Sequence, residues 1–500
     1  MTKYRNLILR TLRMCLTVGI LLGLLASGVE TASAARQKKG GRKKAKTTQS
    51  RSSKKRKSKS KGRQSKKSRR GRSSAAGNVS SFRVTGLSVL KELKLDSGIV
   101  YYQYQSNGRR PIIANVLECD RSYPGNAIRL VKGEDHATGL ERLKDMSQRF
   151  DSKTNHVLYG LVNGNFWRAV TNLMNGLCVI DGEVVQLSRW SSWSSALFDV
   201  RSQMTIDTFS LSGSVTIGKK KYKVESVNDR QGNGIVVYNV FGGNVVPFLS
   251  QKQLEKAFEE AVRDSSVDVN DSTEMELTQE MLRNEIANAQ RKRAIEYPMV
   301  KIRVRYLRTP SINTAIACEV LGVDTGAVNM PLRGAVISIP RATLAGSWPK
   351  VRDTIQLKYE TNVMKQTKFM NAICGTPRLV QNGIANSQAR AEGSTATRFV
   401  HYSLARTAIG SSQDGKKIYI VAVPPDRSEN GTAGANLQQM ADIMSKLGCY
   451  NALNLDGGGS TGMVVRNDHV FYEGVDPLTR RVGLGVGVVR LAKILRSTGY

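Results

Sequence analysis

Residues 455–461 read Leu-Asp-Gly-Gly-Gly-Ser-Thr and lie between two short apolar runs near the end of the 500-residue chain. Three successive glycines are costly in backbone entropy, so a fold that keeps them needs a positive φ or a close approach there. The stretch therefore predicts a sharp turn that holds a carboxylate and two hydroxyls between two strands. Successive N–H groups in such a turn can bind an anion. Alone, the stretch indicates chemistry on a phosphate or a sugar.

The residues before this turn predict a strand–helix–strand unit. The strands are Ile418–Val423 and Ala452–Leu455, and the helix between them is Asn436–Leu447, with its apolar side chains on one face and Gly448 as its stop signal. A unit this short normally pairs parallel strands through a right-handed crossover. Asp456 is then predicted at the carboxyl end of a strand, where such sheets bind ligands.

Further out, alternating or continuous apolar runs predict more strands, separated by Gly and Pro turns. These runs are 99–104, 112–117, 127–131, 157–162, 177–180, 184–185, 215–217, 222–224, 235–238 and 300–307. One helix is predicted over Thr138–Phe150. The whole predicts an α+β fold, a mixed β-sheet core with flanking helices, as one domain over residues 79–500.

Residues 251–296 interrupt this pattern with 11 acidic and seven basic residues, against the basic trend elsewhere. Two apolar stripes at helical spacing predict a helical-hairpin insertion, and Thr273 with Glu276 could form a capping box for its second helix. A surface decoration and a docking element are both compatible with this composition.

The amino terminus carries an export signal. A basic region with Lys3 and Arg13 precedes an apolar run, Met14–Ala26, and Ala32-Ser33-Ala34 fits a cleavage site. This predicts a signal peptide over residues 1–34 and a periplasmic, cell-surface or secreted protein. An uncleaved membrane anchor is the alternative, although the apolar run is short for a bilayer span.

Residues 36–72 form a basic tail: 20 of these 37 residues are Lys or Arg and none is acidic, so they supply 20 of the formal net charge of +36. Residues 35–78 are predicted to be disordered, because they cannot bury enough apolar surface. The tail is expected to adhere to an anionic envelope polymer or a membrane surface. A solvated spacer is the alternative. The signal peptide argues against nucleic acid, and the tail has no aromatic residues for base stacking.

Five cysteines remain after cleavage, with no CxxC pair and no histidine at metal-ligand spacing, so a structural zinc site is not indicated. Buried free thiols are expected for most of them, although export would permit a disulfide. The sequence shows no required cofactor and leaves open a divalent cation at Asp456.

Several blocks, in order along the chain, resemble the phosphodiester glycosidase family. These blocks are Val162–Trp167, Asn228 with Val236–Tyr238, Gly375–Gly383, Ala405–Gly410, Asn454–Ser460 and Arg481–Gly483. The resemblance extends over about Gly98–Val489, and its carboxyl-terminal block is the most specific part. Two departures affect the loops: Pro425-Asp426-Arg427 stands where the family has Asp-Gly-Arg, and Cys374-Gly375-Thr376 replaces a glycine-richer run.

The resemblance implies cleavage of a sugar-1-phosphate diester at the anomeric carbon. The leaving group is a stable phosphate monoester, so the usual need for two carboxylates relaxes. The site must then stabilise charge on the phosphate and on the sugar. It implies that Asp456 acts as nucleophile, base or sugar ligand, that Arg406 and Arg427 hold the phosphate, and that Asn165 and Asn228 hold sugar hydroxyls.

Further binding residues are implied less directly. Candidates for the substrate or phosphate are Asn163, Gly164, Trp167, Gly457, Gly458, Gly459, Ser460 and Thr461. Weaker candidates are Glu473, Asp476 and Arg481, and Trp190 and Trp193 could stack on a sugar. In the structural alternatives, Arg406 pairs with an acid and the tryptophans belong to the core.

Together these features predict an exported hydrolase that releases sugar and a phosphomonoester from a phosphodiester-linked glycan. The alternative is a non-catalytic envelope polysaccharide-binding protein that its tail tethers to polyanions.

Overall fold

The computed structural model describes residues 83–168, 171–187, 192–247, 279–426, 431–470 and 480–491, all within one unit, Ser74–Tyr500. The predicted signal peptide, the basic tail and the first helix of the predicted hairpin lie outside the described residues, as do Thr273 and Glu276. The predicted domain boundaries therefore stay predictions.

The described residues fold mostly as β-structure, so the predicted α+β class is wrong. Their four α-helices are α1 (Leu143–Lys153), α2 (Gln279–Glu296), α3 (Thr397–His401) and α4 (Leu437–Lys446). Most of the predicted strands are present, but they pair over long sequence distances into four larger sheets. Such pairing leaves no local signature, because a strand's own pattern shows only which of its faces is buried.

The largest sheet has eight strands, and every neighbouring pair is antiparallel. In spatial order its strands are Leu87–Asp96, Ile99–Ser106, Ile113–Asp120, Lys417–Val423, Arg406–Ser411, Asn451–Asn454, Arg378–Gln381 and Ile384–Ala385. The strand Lys417–Val423 is buried on both faces. Ile418 and Ile420 face the central core, whereas Val421 and Val423 pack with α4. Burial on both sides explains its continuous apolar run.

The predicted strand–helix–strand unit is present, but its two strands do not pair. Arg406–Ser411 lies between them and is antiparallel to both, with Ile409 opposite Ile420 on one side and Leu453 on the other. The strands before and after α4 therefore run parallel with a third strand between them. The prediction of a directly paired parallel unit is wrong, because the intervening strand comes from earlier in the chain.

A seven-stranded closed barrel forms a second body of β-structure, which the sequence pattern did not predict. In order around the barrel its strands are Leu211–Ile217, Lys220–Val227, Ile235–Tyr238, Gly334–Ile339, Val300–Tyr306, Ala315–Thr325 and Thr354–Thr361. One neighbouring pair is parallel, and the other six are antiparallel. Closure leaves no unpaired edge. Apolar side chains from every strand fill it, among them Val215, Ile302 and Leu357.

Two five-stranded sheets and one two-stranded pair complete the described fold. The middle sheet consists of Glu183–Gln186, Cys178–Ile180, Phe369–Gly375, Ser194–Asp199 and Met204–Asp207. The terminal sheet consists of Asp468–His469, Met463–Val465, Val157–Asn163, Leu484–Arg490 and Asn126–Lys132. The pair is Val245–Val246 with Val328–Asn329. The central core lies where the large, middle and terminal sheets meet.

Helix α1 begins at Leu143, later than the predicted Thr138. The main chain of Glu141 is bonded in both directions to Val482, with N···O distances of 3.1 and 2.9 Å. This bridge holds the preceding residues outside the helix. Helix α2 matches the second helix of the predicted insertion, and its last residue, Glu296, is buried against the barrel.

The five cysteines of the described chain are all buried free thiols, which confirms that expectation. Burial raises the pKa of Cys119 and Cys178 to about 12, so both are inert thiols at neutral pH. Within the described ranges, none of the helices combines the length and the apolar character that crossing a membrane requires.

Candidate active site

The loop after the strand Asn451–Asn454 is the candidate centre. Asp456 and the glycines Gly457, Gly458 and Gly459 are partly exposed, whereas Ser460 and Thr461 are buried beneath them. Gly458 has a φ of +58°, and a Cβ on Gly457 would lie 2.9 Å from the carbonyl oxygen of Ala405. A positive φ and a close approach thus account for two of the three glycines, as predicted.

The predicted anion nest is not formed by all three glycine N–H groups. The N–H of Gly457 donates to the Asp456 carboxylate at 2.9 Å, and the N–H of Gly458 donates to the carbonyl of Ala405 at 3.0 Å. Both donors are therefore engaged inside the protein. The first of these bonds orients the Asp456 carboxylate at the rim of the loop.

Asn163 ties the loop to two sheets from a buried position. Its Nδ2 donates to the carbonyl of Asp456 at 2.7 Å, and its Oδ1 accepts from the Thr407 hydroxyl at 2.7 Å. The N–H of Asp456 donates to the carbonyl of Gly164 at 3.0 Å. The strand end Asn163-Gly164 therefore holds the main chain of Asp456 on both sides. Asn163 and Gly164 are predicted binding residues, and the contacts here show them positioning Asp456.

Arg406 lies at the same edge of the large sheet as Asp456. The register pairs Ala408 with Asn454, and the N–H of Leu455 donates to the carbonyl of Thr407 at 2.8 Å, so the pairing continues past the strand end. Arg406 begins its strand, and Asp456 lies two residues beyond the end of the neighbouring antiparallel strand. Both predicted residues therefore lie at the same edge of this sheet.

The Arg406 guanidinium is a buried cation, with 1% of the residue exposed. Its Nε donates to the carbonyl of Ala435 at 2.9 Å, one Nη donates to that of Phe399 at 2.6 Å, and the Phe399 ring lies 5.2 Å from the guanidinium carbon. Burial lowers its pKa to about 9, which leaves it charged at neutral pH. Among the described residues no carboxylate pairs with it, so the structural alternative of an ion pair finds no support there.

Two nitrogens of Arg406 are occupied by carbonyls in this arrangement. A bidentate grip on phosphate would need those bonds to be released, so that part of the prediction stays untested. A buried charge without a counterion is costly. An anion that reaches this guanidinium would therefore gain strongly from it.

Aromatic side chains connect the strand end at Asn163 with Arg406. Phe166 makes edge-to-face contacts with Trp193 at 5.6 Å and with Phe399 at 6.2 Å between ring centroids. Phe399 belongs to α3 and carries the guanidinium of Arg406 on its ring. Trp167 packs against the central core, as its structural alternative stated.

Asn165 lies two residues beyond Asn163 and is 2% exposed. Its Nδ2 donates to the carbonyl of Leu177 at 3.1 Å, and its Oδ1 accepts from the N–H of Cys374 at 3.1 Å. The next residue, Gly375, packs so closely that a Cβ would lie 2.2 Å from the carbonyl oxygen of Asn454. Asn165 therefore joins the middle sheet to the strand that precedes Asp456, and its predicted contact with sugar stays untested.

Asn228 belongs to another polar cluster, at the junction of the barrel and the middle sheet. Its Nδ2 donates to the carbonyl of Val185 at 3.2 Å and to Oδ1 of Asn239 at 2.9 Å. Asn239 and the Tyr306 hydroxyl both donate to the carboxylate of Glu183, at 3.0 and 3.1 Å. Burial raises the pKa of Glu183 to about 7. The described hydrogen bonds of Asn228 thus serve this junction, and its predicted contact with a sugar hydroxyl stays untested.

Several predicted residues have no described geometry at the site. Arg427, Trp190, Glu473 and Asp476 lie outside the described residues. Arg481 is described and partly exposed, one residue before the bridge between Val482 and Glu141. Over the described ranges, no group of three or more His, Cys, Asp or Glu side chains could hold a metal ion. A divalent cation at Asp456 stays untested.

Thr407 and Phe399, which contact Asn163 and Arg406 respectively, were not predicted as site residues. Thr407 directly follows Arg406, and alternation along a strand would have placed it on the opposite face. Phe399 had no such signal, because α3 is a short helix within a long connection.

The carboxyl-terminal part of this arrangement is similar to a known protein family. Residues 329–489 match the phosphodiester glycosidase family. The resemblance inferred from the sequence is thereby confirmed over a range that includes Gly375, Arg406 and the Asp456 loop. Asn163, Asn165 and Asn228 precede the matched range.

Curated relatives match a shorter segment. N-acetylglucosamine-1-phosphodiester alpha-N-acetylglucosaminidase of Homo sapiens is 32% identical over 115 residues, which is 21% of this chain and 22% of the relative. The Bos taurus protein of the same name is 33% identical over 115 residues, 21% of each chain. The matched segment thus spans about a fifth of the length of these phosphodiester glycosidases.

Solved structures share the fold over most of the chain. A hypothetical protein from Synechocystis has a TM-score of 0.54 at 19% identity, covering 81% of this chain and 64% of that one. A putative exported protein from Burkholderia pseudomallei has a TM-score of 0.52 at 14% identity, covering 84% of this chain and all of that one. At these identities the likeness is one of fold.

Proposed function

We propose that this protein is an exported glycosidase that hydrolyses sugar-1-phosphate diester linkages in a glycan or cell-envelope polymer. The observation that carries the proposal is the shared edge of the large sheet, where Asp456 follows one strand and Arg406 begins its neighbour. It combines a partly exposed carboxylate with a buried cation that has no carboxylate partner among the described residues. The family match over residues 329–489 supports the reaction class.

Asp456 is assigned the chemistry at the sugar. Its carboxylate is held by the N–H of Gly457, and its main chain is fixed by Asn163 and Gly164. In this role it attacks the anomeric carbon, deprotonates water or stabilises the oxocarbenium-like sugar. The departing group is a phosphate monoester, which leaves as an anion.

Arg406 is assigned the role of stabilising the negative charge of that phosphate. Its cation lies in a water-poor position, where an electrostatic interaction is much stronger than in water. The interaction stabilises the transition state because negative charge develops on the leaving phosphate as the bond breaks.

The proposal is tested by turnover of a soluble N-acetylglucosamine-1-phosphate diester. Asp456→Asn is expected to lower kcat by about 100-fold or more, the usual contribution of a positioned acid, base or nucleophile. The melting temperature should stay close to wild type, because Asp456 is partly exposed. Asp468→Asn, at the edge of the terminal sheet, is the matched control and should retain full turnover. Wild-type activity in Asp456→Asn would contradict the assignment.

A further inference from the structure

A cleft of about 620 Å³ opens beside the amino-terminal end of α4. We call it the basic cleft and define it by Arg83, Ser387, Arg390, Ser394, His401 and Gln438. Among the described residues that line it, none is an aspartate or a glutamate. None of these residues was a predicted site residue, and the proposed reaction does not use them.

The charge that the cleft offers comes mainly from Arg390. Arg83 is paired with Asp442, whose carboxylate accepts from its guanidinium at 2.7 to 2.9 Å, so that charge is largely compensated. Arg390 is exposed and forms no ion pair with any carboxylate of the described chain. A guanidinium that is exposed beside a concave surface favours a phosphate or a carboxylate.

Neutral donors complete the set that an anion needs. The Ser387 hydroxyl is buried in the cleft wall and has no hydrogen-bond partner among the described residues. Leu437 and Gln438, the first residues of the ten-residue helix α4, also line the cleft. The positive end of the helix dipole therefore faces the same space.

The basic cleft is connected to the Asp456 loop through short contacts. The Ser394 hydroxyl bonds that of Thr376 at 2.8 Å, and the carbonyl of Thr376 accepts from Asn454, two residues before Asp456, at 2.7 Å. On the other side, Arg406 donates to the carbonyls of Phe399 and Ala435. These residues lie close in the chain to the lining residues Val400 and Asn436.

We propose that the basic cleft binds a second phosphate group of the substrate, on the far side of the scissile linkage from the sugar that is released. This inference rests on the proposed function. It assigns the substrate class: a chain with repeated sugar-phosphate linkages, rather than a single diester with a neutral aglycone. Arg390 and Ser387 are the specificity residues. Helix α3 lines their cleft through Val400 and contacts Phe166 through Phe399.

The test compares two soluble sugar-1-phosphate diesters that differ only in their aglycone, one neutral and one carrying a second phosphate. Wild-type protein is expected to show a KM about 10-fold lower for the two-phosphate compound, with similar kcat. Arg390→Gln should remove this preference, and Ser387→Ala should reduce it. Arg341→Gln, an exposed arginine at the barrel, is the matched control and should keep it.

The outcomes separate the two proposals. Equal KM values in wild-type protein, or a preference that persists in Arg390→Gln, would overturn the inference and leave the glycosidase proposal intact. If the wild type cleaves neither compound, the glycosidase proposal fails. Calorimetric binding of pyrophosphate then decides about the cleft: an affinity about 10-fold lower in Arg390→Gln than in Arg341→Gln supports it, and equal affinities overturn it.

Discussion

At the scale of single residues, the buried side chain of Asn163 holds the loop at Asp456 in place. An asparagine offers a donor and an acceptor on one rigid group, and both are used here, toward the Asp456 carbonyl and the Thr407 hydroxyl. A buried polar group that loses one partner costs more than the bond itself was worth. Substitutions at Asn163 should therefore act on stability as well as on the loop.

Asn163→Asp is expected to lower the free energy of unfolding by about 2 to 4 kcal/mol, because a carboxylate cannot donate to the Asp456 carbonyl and adds a buried charge. Thr407→Val should cost about 1 kcal/mol, since it removes one hydroxyl from the same site. Urea denaturation of both variants measures this difference. An Asn163→Asp variant as stable as wild type would show that the amide donor has no structural role.

At the scale of elements, α2 is fastened to the barrel by a buried ionic network at its last residue. The Glu296 carboxylate accepts from Arg230 Nε at 2.7 Å and from the Tyr238 hydroxyl at 2.8 Å, and it also contacts the Ser338 hydroxyl. Lys301 donates to the carbonyl of Glu296 at 2.6 Å. The end of the insertion is thus fixed to three barrel strands and to the turn before one of them.

Glu296→Gln is expected to destabilise the protein by about 3 to 5 kcal/mol, because it leaves the Arg230 charge buried without its carboxylate. Lys292→Ala, which breaks the more exposed pair with Asp229, should cost less than about 1 kcal/mol. Chemical denaturation compares the two variants. Similar small losses in both would mean that the buried network contributes nothing beyond a surface pair.

The junction between the barrel and the middle sheet, which contains Glu183, depends on pH. Burial raises the pKa of Glu183 from 4.5 to about 7, so the folded state holds this proton more tightly than the unfolded state. The stability that this proton contributes is present below pH 4.5 and is lost as the pH rises through about 7. His136 has the opposite effect. Burial lowers its pKa from 6.5 to about 4, so the free energy of unfolding increases as the pH rises between these two values.

The contribution of Glu183 is therefore measured as the difference between the pH dependence of wild-type stability and that of a variant without the carboxyl group. Between pH 5 and pH 8 the wild type should lose about 1 to 3 kcal/mol of unfolding free energy relative to Glu183→Gln. The glutamine can still accept hydrogen bonds from Asn239 and the Tyr306 hydroxyl, and it does not titrate. Denaturant melts at several pH values give both curves. Parallel curves would show that Glu183 titrates as an ordinary carboxyl group.

At the scale of the whole molecule, the basic tail carries most of the net charge, whereas the proposed site belongs to the folded unit. Residues 36–72 supply 20 of the formal net charge of +36, whereas the cleft and the Asp456 loop lie within Ser74–Tyr500. Attachment and catalysis are then separable in the proposed enzyme. A polybasic segment binds anionic polymers by an electrostatic interaction that salt screens.

Deletion of residues 36–72 is expected to leave turnover of a small soluble diester unchanged and to lower retention on an anionic polymer at low salt. Retention of the full chain should itself fall as the salt concentration rises, because the attraction is screened. A pull-down with an anionic polymer and a parallel activity assay measure both properties. Loss of turnover on deletion would place the tail in the catalytic unit.

The sequence by itself determined the local elements and the chemistry of the carboxyl-terminal block. Ile418–Val423, α4 and the turn at Asp456 were predicted because apolar periodicity, a helix stop and a glycine run are local signals. Asp456 and Arg406 were implied as site residues by the order of the motifs, and that assignment stays a prediction, although both lie at the same edge of the large sheet. The buried thiols followed from cysteine spacing.

Only the tertiary structure decided the pairing of strands and the partners of buried polar groups. The barrel closes between residues more than 100 positions apart, such as Leu211 and Thr361, and a strand's own pattern does not name its neighbour. For the same reason the sequence could not show that Arg406 donates to carbonyls or that Asn228 joins the barrel to the middle sheet. A polar side chain's role depends on which groups burial brings within hydrogen-bond distance, and that is a property of the folded chain.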